Sequence, residues 1–212
     1  MANRPVFSVG DQYRAMYRHD VTFEWFAGMS DAQKRRSIDS LHGAYARRYP
    51  DAQVLEISSK SRQELGVKLS AFNLTKFVPS LGRSIPVECV YQGGKVFSGG
   101  GPYTDLYGGL PIDAKRDPRL KESGVLMNFF YEGKKYPNWP MTAFYNWVWC
   151  SALLEHPELA EEIVRYDAFT DIAFNPNKGK NCQAEAAAVF VSLARRGLLD
   201  KIADFDEFVK LL

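Results

Sequence analysis

The chain has 212 residues, with Lys+Arg 27 against Asp+Glu 25 and a formal net charge of +2. That balance excludes a polybasic nucleic-acid wrapper, so any nucleic-acid contact has to rest on a local patch. Hydrophobic residues at 46% and charged residues at 25% exclude a disordered chain, and the length suits one domain whose core needs no staples. Cys89, Cys150 and Cys182 are widely spaced and form no C-x-x-C pair, and His19, His42 and His156 are equally scattered. Neither a disulfide scaffold, a metal site nor a cofactor is expected from them. No long apolar stretch follows Met1-Ala2-Asn3-Arg4-Pro5, and the most apolar segment, 142–154, is too short to cross a bilayer. The expectation is a cytoplasmic protein without membrane contact.

In chain order, residues 4–9 and 21–26 are short apolar-aromatic runs that suit strands. Ser30 and Gln33 have capping-box spacing before Ile38, Leu41, Ala44 and Tyr45, which repeat at helical intervals. Pro50 ends that helix. Residues 54–57 suit a strand, and Ser61 with Glu64 forms a second capping-box pattern that predicts a helical turn. Residues 85–97 are ambiguous: Val87, Val90 and Tyr91 favour a strand, while Pro86 suits a first helical turn. A helix would set Glu88, Gln92 and Lys95 on one polar face. Gly99-Gly100-Gly101-Pro102 is a turn or loop, and 115–121 is charged and expected to be exposed. Residues 142–154 predict a buried aromatic helix, 157–166 an amphipathic one, 184–195 an Ala-rich one and 204–212 a closing one. These elements predict one α+β domain, predominantly helical with a few short strands.

Glu88 stands in an apolar run. A carboxylate so placed is a candidate acid, base or electrostatic stabiliser, and equally a structural partner for Lys95. The Gly-rich stretch 93–109 lacks the lysine-serine ending of a P-loop and reads by itself as turns. Residues 175–181 precede a helix and carry two lysines, a pattern that suits either an anion site or a solvated loop. Trp139, Trp147 and Trp149 could stack on a base or fill a core. The Lys34-Arg35-Arg36 and Arg47-Arg48 clusters read as a DNA-backbone contact or as a solvated helix face.

Three blocks carry a resemblance. Leu69-Ser70-Ala71-Phe72-Asn73-Leu74, the run from Val87 through Gln92 and Lys95 to Phe97, and Lys178-Gly179-Lys180-Asn181 before an Ala-rich helix resemble, in order, three blocks of the NADAR superfamily. Leu55-Glu56-Ile57-Ser58-Ser59-Lys60-Ser61, the Gly-Gly-Pro-Tyr-Thr-Asp run at 100–105 and Thr142-Ala143-Phe144-Tyr145 are similar to its DarT-associated branch. Two departures stand out: the family's Glu-His pair is Glu88-Cys89 here, and Asn181-Cys182-Gln183-Ala184 replaces an Arg-Leu-Gly continuation.

The resemblance implies a single NADAR (YbiA-like) domain over 51–212, with 1–50 an extension packed on it, and a helical setting for Glu88. It implies an N-glycosidase that removes ADP-ribose from guanine in DNA, as antitoxin to a DarT-type ADP-ribosyltransferase toxin. Its ligand would be ADP-ribosylated DNA or free ADP-ribose. Other branches hydrolyse phosphorylated riboflavin-pathway intermediates, and a non-catalytic ADP-ribose-binding or toxin-binding module is the third reading. Glu88 matches the family's catalytic glutamate. Ser70, Asn73 and Gln92 are expected around the ribose, and Lys60, Lys178, Gly179 and Asn181 near the pyrophosphate. Tyr103 and Asp105 are expected at ribose hydroxyls or the base, and Lys95, Asp171 or a water as proton source.

Overall fold

A computed structural model describes all residues except Met29 and Lys178. Strands β1 (Ala2–Val9) and β2 (Met16–Phe23) pair antiparallel, with Ala2 opposite Phe23 and Val9 opposite Met16. Helix α1 (Asp31–Ala46) follows, and the Ser30 hydroxyl accepts the Gln33 amide at 3.4 Å. Only that half of the predicted capping box is made, because the Gln33 carbonyl oxygen accepts from Arg36 at 3.2 Å instead. Ile38, Leu41 and Tyr45, at helical spacing, bury one face of α1 against Val6, Phe23, Ala168 and Ile172. Each such aliphatic side chain stabilises by about 1.5–3 kcal/mol.

Strand β3 (Val54–Glu56) leads to α2 (Glu64–Lys68), which starts later than the Ser61–Glu64 spacing predicts. The Ser61 hydroxyl accepts the Gln63 amide, and Glu64 pairs with Lys68 one turn on at 2.7 Å, so that box does not form. Gly66 has a packing reason: a Cβ there would stand 2.0 Å from the Glu56 carbonyl oxygen. The hairpin of β4 (Thr75–Val78) and β5 (Arg83–Pro86) then delivers the chain into α3 (Val87–Gly93). Strand β6 (Lys95–Phe97) comes next, followed by a 3-10 turn (Thr104–Gly108), α4 (Pro111–Arg116) and α5 (Arg119–Glu122). Strands β7 (Leu126–Tyr131) and β8 (Lys134–Pro137) complete an antiparallel sheet in the order β6-β7-β8.

Helix α6 (Ala143–Leu153) buries ten of its eleven residues, as a helix apolar on every side must. Its tryptophans belong to the core: the Trp147 and Trp149 indoles donate to the carbonyls of Ile202 and Leu69 at 2.9 and 3.2 Å. Trp139 is 73% exposed. After α7 (Pro157–Ile163) comes β9 (Ala168–Thr170), then α8 (Gln183–Arg195), whose alanines let α6 approach closely. A last helix, α9 (Phe205–Val209), is capped by the Asp204 carboxylate.

The first sheet runs β2-β1-β9-β3, with β9 antiparallel to β1 and parallel to β3. Residues 1–50 therefore share a sheet with the chain's last strand. The same register sends the end of β3, the end of β9 and the start of β1 to one rim. The fold is mixed α+β with a NADAR-like arrangement. No helix among the described residues is long and apolar enough to cross a membrane.

Candidate active site

Tertiary contacts decide that 87–93 is helical. Pro86 stands just before the helix, and the orphan amides of Val87 and Glu88 donate to the carbonyls of Leu74 and Ala71, both at 2.9 Å. The 69–74 block thus holds the start of α3. Gly93 and Gly94 end the helix rather than prevent it. A Cβ on Gly93 would lie 2.5 Å from the Tyr107 ring, and one on Gly94 2.9 Å from the Phe130 carbonyl oxygen. Their carbonyls accept the amides of Tyr103 and Phe130 at 2.8 and 2.7 Å, which swings the chain into β6.

The helix brings three polar side chains into line. The Gln92 amide nitrogen donates to Glu88 Oε1 at 2.8 Å, and Lys95 Nζ donates to Gln92 Oε1 at 2.7 Å. Glu88 is 5% exposed and Gln92 7%. Oε2 of Glu88 takes no hydrogen bond among the described residues. Lys95 also sits over the Tyr91 ring, 4.5 Å from its centroid. Burial lowers the Lys95 pKa to about 8, against the opposing pull of Glu88, and the Lys115 charge lowers it further. At Lys95 the unfolded chain therefore binds more protons than the folded one between about pH 8 and its ordinary value, so this residue's own contribution to stability should rise with pH across that interval. The buried thiols of Cys89, Cys150 and Cys182, whose pKa values are raised, act in the opposite sense. We expect the Tm of the wild type to gain on that of Lys95→Met from pH 8 to pH 10, since the thiols and tyrosines act alike in both proteins and cancel in the difference.

Around this line the third block closes in. The Asn181 side-chain amide hydrogen-bonds the Tyr91 hydroxyl, and Tyr145 packs edge-on against Tyr91 at 5.0 Å. Burial pushes the Tyr145 hydroxyl's pKa up, and the charges of Glu88 and Asp171 push it further. Asn181 Oδ1 is buried without a partner among the described residues.

Behind Asp171 lies a buried relay. Glu56 accepts from the Ser58 hydroxyl at 2.7 Å, the Ile172 amide at 2.8 Å and the Thr170 hydroxyl at 2.5 Å. His42 Nε2 lies 2.8 Å from the same Thr170 hydroxyl, and burial lowers the His42 pKa to about 4, so the ring is neutral and donates. Burial raises the pKa of Glu56, opposed by those three hydrogen bonds. Burial, then the Glu56 charge, raises that of Asp171. One Asp171 oxygen accepts the amides of Ala173 and Phe174 at 3.0 and 3.2 Å.

The other sequence candidates are placed less directly. Asn73 spends its amide on the Val67 carbonyl and the Ser70 hydroxyl, at 2.8 and 3.1 Å, bracing its own turn. Lys60 pairs with Asp31 at 2.8 Å. Tyr103 hydrogen-bonds Ser123 through its hydroxyl, and Asp105 pairs with Arg119 at 2.7 Å. Gly179 closes a turn on the Asn175 carbonyl, and Lys178 lies outside the described residues. Tyr91, Tyr145, Glu56 and Lys115 are near the line without having been singled out. Lys115, in the charged exposed run, ends α4 over the Phe72 ring at 5.4 Å and acts on both Lys95 and Asp171. Two surface cavities of about 390 and 240 Å³ lie elsewhere, lined by residues such as Trp147 and Glu155 or His19 and Tyr49. Hydrogen bonding and charge, not volume, single out the Glu88 line.

A near-buried carboxylate with one oxygen unengaged among the described residues, beside a desolvated lysine and an aromatic wall, is an arrangement able to stabilise positive charge on a ligand. Residues 2–212 match the DarT1-associated NADAR antitoxin family, so the chain belongs to that family. Membership sets it among NADAR-type antitoxins that accompany a DarT-type toxin. No curated protein matches the sequence.

Proposed function

We propose that the protein is an N-glycosidase that removes ADP-ribose from guanine bases of DNA and so reverses a DarT-type toxin's modification. The observation that carries this reading is the Glu88 carboxylate, one oxygen fixed by Gln92 and the other unengaged, in a chain of this family. Breaking the ribose C1–N bond builds positive charge on C1 and the ring oxygen, as in glycoside hydrolysis. Glu88 stands against that charge and orients or deprotonates the attacking water. Gln92 holds the carboxylate, and Lys95 holds Gln92. The departing guanine nitrogen takes its proton from Lys95, Asp171 or a bound water. Tyr91 and Asn181 form a wall for the ribose, with Ser70 at the turn that starts α3, and the turn at Gly179 takes the pyrophosphate.

The test is release of free ADP-ribose from an oligonucleotide carrying one ADP-ribosylated guanine, beside a phosphorylated ribosylaminopyrimidine as competing substrate. We expect the oligonucleotide to be hydrolysed and its guanine restored unmodified. Preferred turnover of the pyrimidine would reject the DNA substrate. Tight ADP-ribose binding with no release from either would reject the enzyme.

A further inference from the structure

The rim that carries the candidate site also carries a surface of a different composition. At the start of β1 and the end of β2, Trp25 lies between two cations: the Arg4 guanidinium is 5.4 Å and the Lys34 ammonium 4.9 Å from its ring centroid. Next to it the Arg36 guanidinium covers Phe26 at 4.0 Å. Both aromatics are only half-buried, and Arg36 is exposed.

Of the nearby carboxylates, Asp31 pairs with Lys60 at 2.8 Å and Asp39 with Arg62 at 2.6 Å, while Glu24, next to Trp25, is exposed and pairs with no cation among the described residues. Among the described residues no carboxylate lies within ion-pair distance of Arg4, Lys34 or Arg36. Arg4 Nε is buried without a partner among the described residues, and burial lowers the pKa of that guanidinium. An anion at Arg4 would supply what the fold withholds.

The placement follows from the sheet. Strand β1 runs antiparallel to β9, with Ser8 opposite Ala168 and Phe7 opposite Phe169, so stepping back along β1 toward Arg4 runs beside the chain leaving β9 at Asp171. The Lys60–Asp31 pair ties the first turn of α1 to the loop after β3, whose Ser58 holds Glu56. Patch and candidate site are therefore neighbours on one edge.

The rings hold these cations in place, and a cluster of fixed cations without carboxylate partners suits the phosphates of a nucleic-acid strand. The geometry points to Arg4, Trp25, Phe26, Lys34 and Arg36 as a surface that holds single-stranded nucleic acid flanking the modified nucleotide. This rests on the reading that the substrate is DNA, and it adds where the rest of the strand lies. An acidic protein surface would use the same cations, and the toxin-complex arm of the test separates the two.

The test uses the full chain and a fluorescent single-stranded oligonucleotide without ADP-ribose, followed by anisotropy over a salt series. The double variant Lys34→Glu with Arg36→Glu should bind about tenfold more weakly or worse. Its slope of log affinity on log salt should shrink by about 1.4, roughly 0.7 for each lost phosphate contact. Trp25→Ala, which removes the ring that holds Arg4 and Lys34, should weaken binding about threefold. Turnover of ADP-ribosylated guanosine, which has no flanking strand, should stay at the wild-type level in the double variant. Equal affinity and slope in wild type and double variant overturn the proposal, and so does a wild type that binds no oligonucleotide. Loss of a toxin complex with oligonucleotide binding untouched overturns it too and gives the patch to the toxin. Because the probe carries no ADP-ribose, patch-dependent binding without hydrolysis would sink the enzymatic reading alone.

Discussion

Glu88→Gln should lower the rate of ADP-ribose release from modified guanine by about 10²–10⁴-fold while leaving the fold intact. The replacement is nearly isosteric, and its amide oxygen can still accept from Gln92, whose donation at 2.8 Å is the hydrogen bond Glu88 makes to a side chain. What disappears is negative charge at the carbon that becomes cationic. Lys95, whose pKa Glu88 holds up against burial, should lose its proton more readily in the variant. Glu88→Ala should be as inactive but less stable, because it strands the Gln92 amide in a buried setting at a cost of about 1–3 kcal/mol. Release assays under single-turnover conditions, with urea unfolding of each variant, separate the two effects. Near wild-type release by Glu88→Gln would remove the carboxylate from the chemistry.

The sequence made some of this visible and hid the rest for identifiable reasons. Helices α1, α6, α8 and α9 are announced by their apolar content and spacing, and α1 also by its cap, which are local properties. Helix α3 is not, since Val87, Val90 and Tyr91 favour strands and two glycines follow. Its helical state depends on carbonyls of Leu74 and Ala71 taking its first amides, contacts between segments more than ten residues apart. Glu88 and Glu56 send the same signal, a carboxylate inside an apolar run, yet their surroundings differ. Three donors from Ser58, Thr170 and Ile172 satisfy Glu56, whereas Glu88 keeps an oxygen free. Composition around each residue does not contain that difference. Tyr103 and Asp105 show the converse: a Gly-rich loop suggests a ligand, but Ser123 and Arg119, remote in sequence, already occupy these side chains. Lys115 reads as one charge in a solvated run, and only the turn of α4 brings it to bear on Lys95 and Asp171.

Gln183→Leu should destabilise the protein by several kcal/mol and weaken catalysis through the fold rather than through the ligand. At the start of α8, Gln183 Oε1 accepts the Ala71 amide at 2.8 Å, and its side-chain nitrogen donates to the Ile57 carbonyl at 2.5 Å. One side chain thus ties together the exit of β3, the turn before α3 and the first turn of α8. The same Ala71 offers its carbonyl to the Glu88 amide. Leucine fills a similar volume but leaves the Ala71 amide and the Ile57 carbonyl buried and unpaired, about 1–3 kcal/mol each. With a urea dependence of about 1–3 kcal/mol/M, the unfolding midpoint should fall by about 1 M or more. Gln183→Glu keeps an acceptor for Ala71 but faces Ile57 with a second oxygen, so it should not rescue. An unchanged midpoint in Gln183→Leu would show that the turn before α3 holds itself, and the link from α8 to Glu88 would go with it.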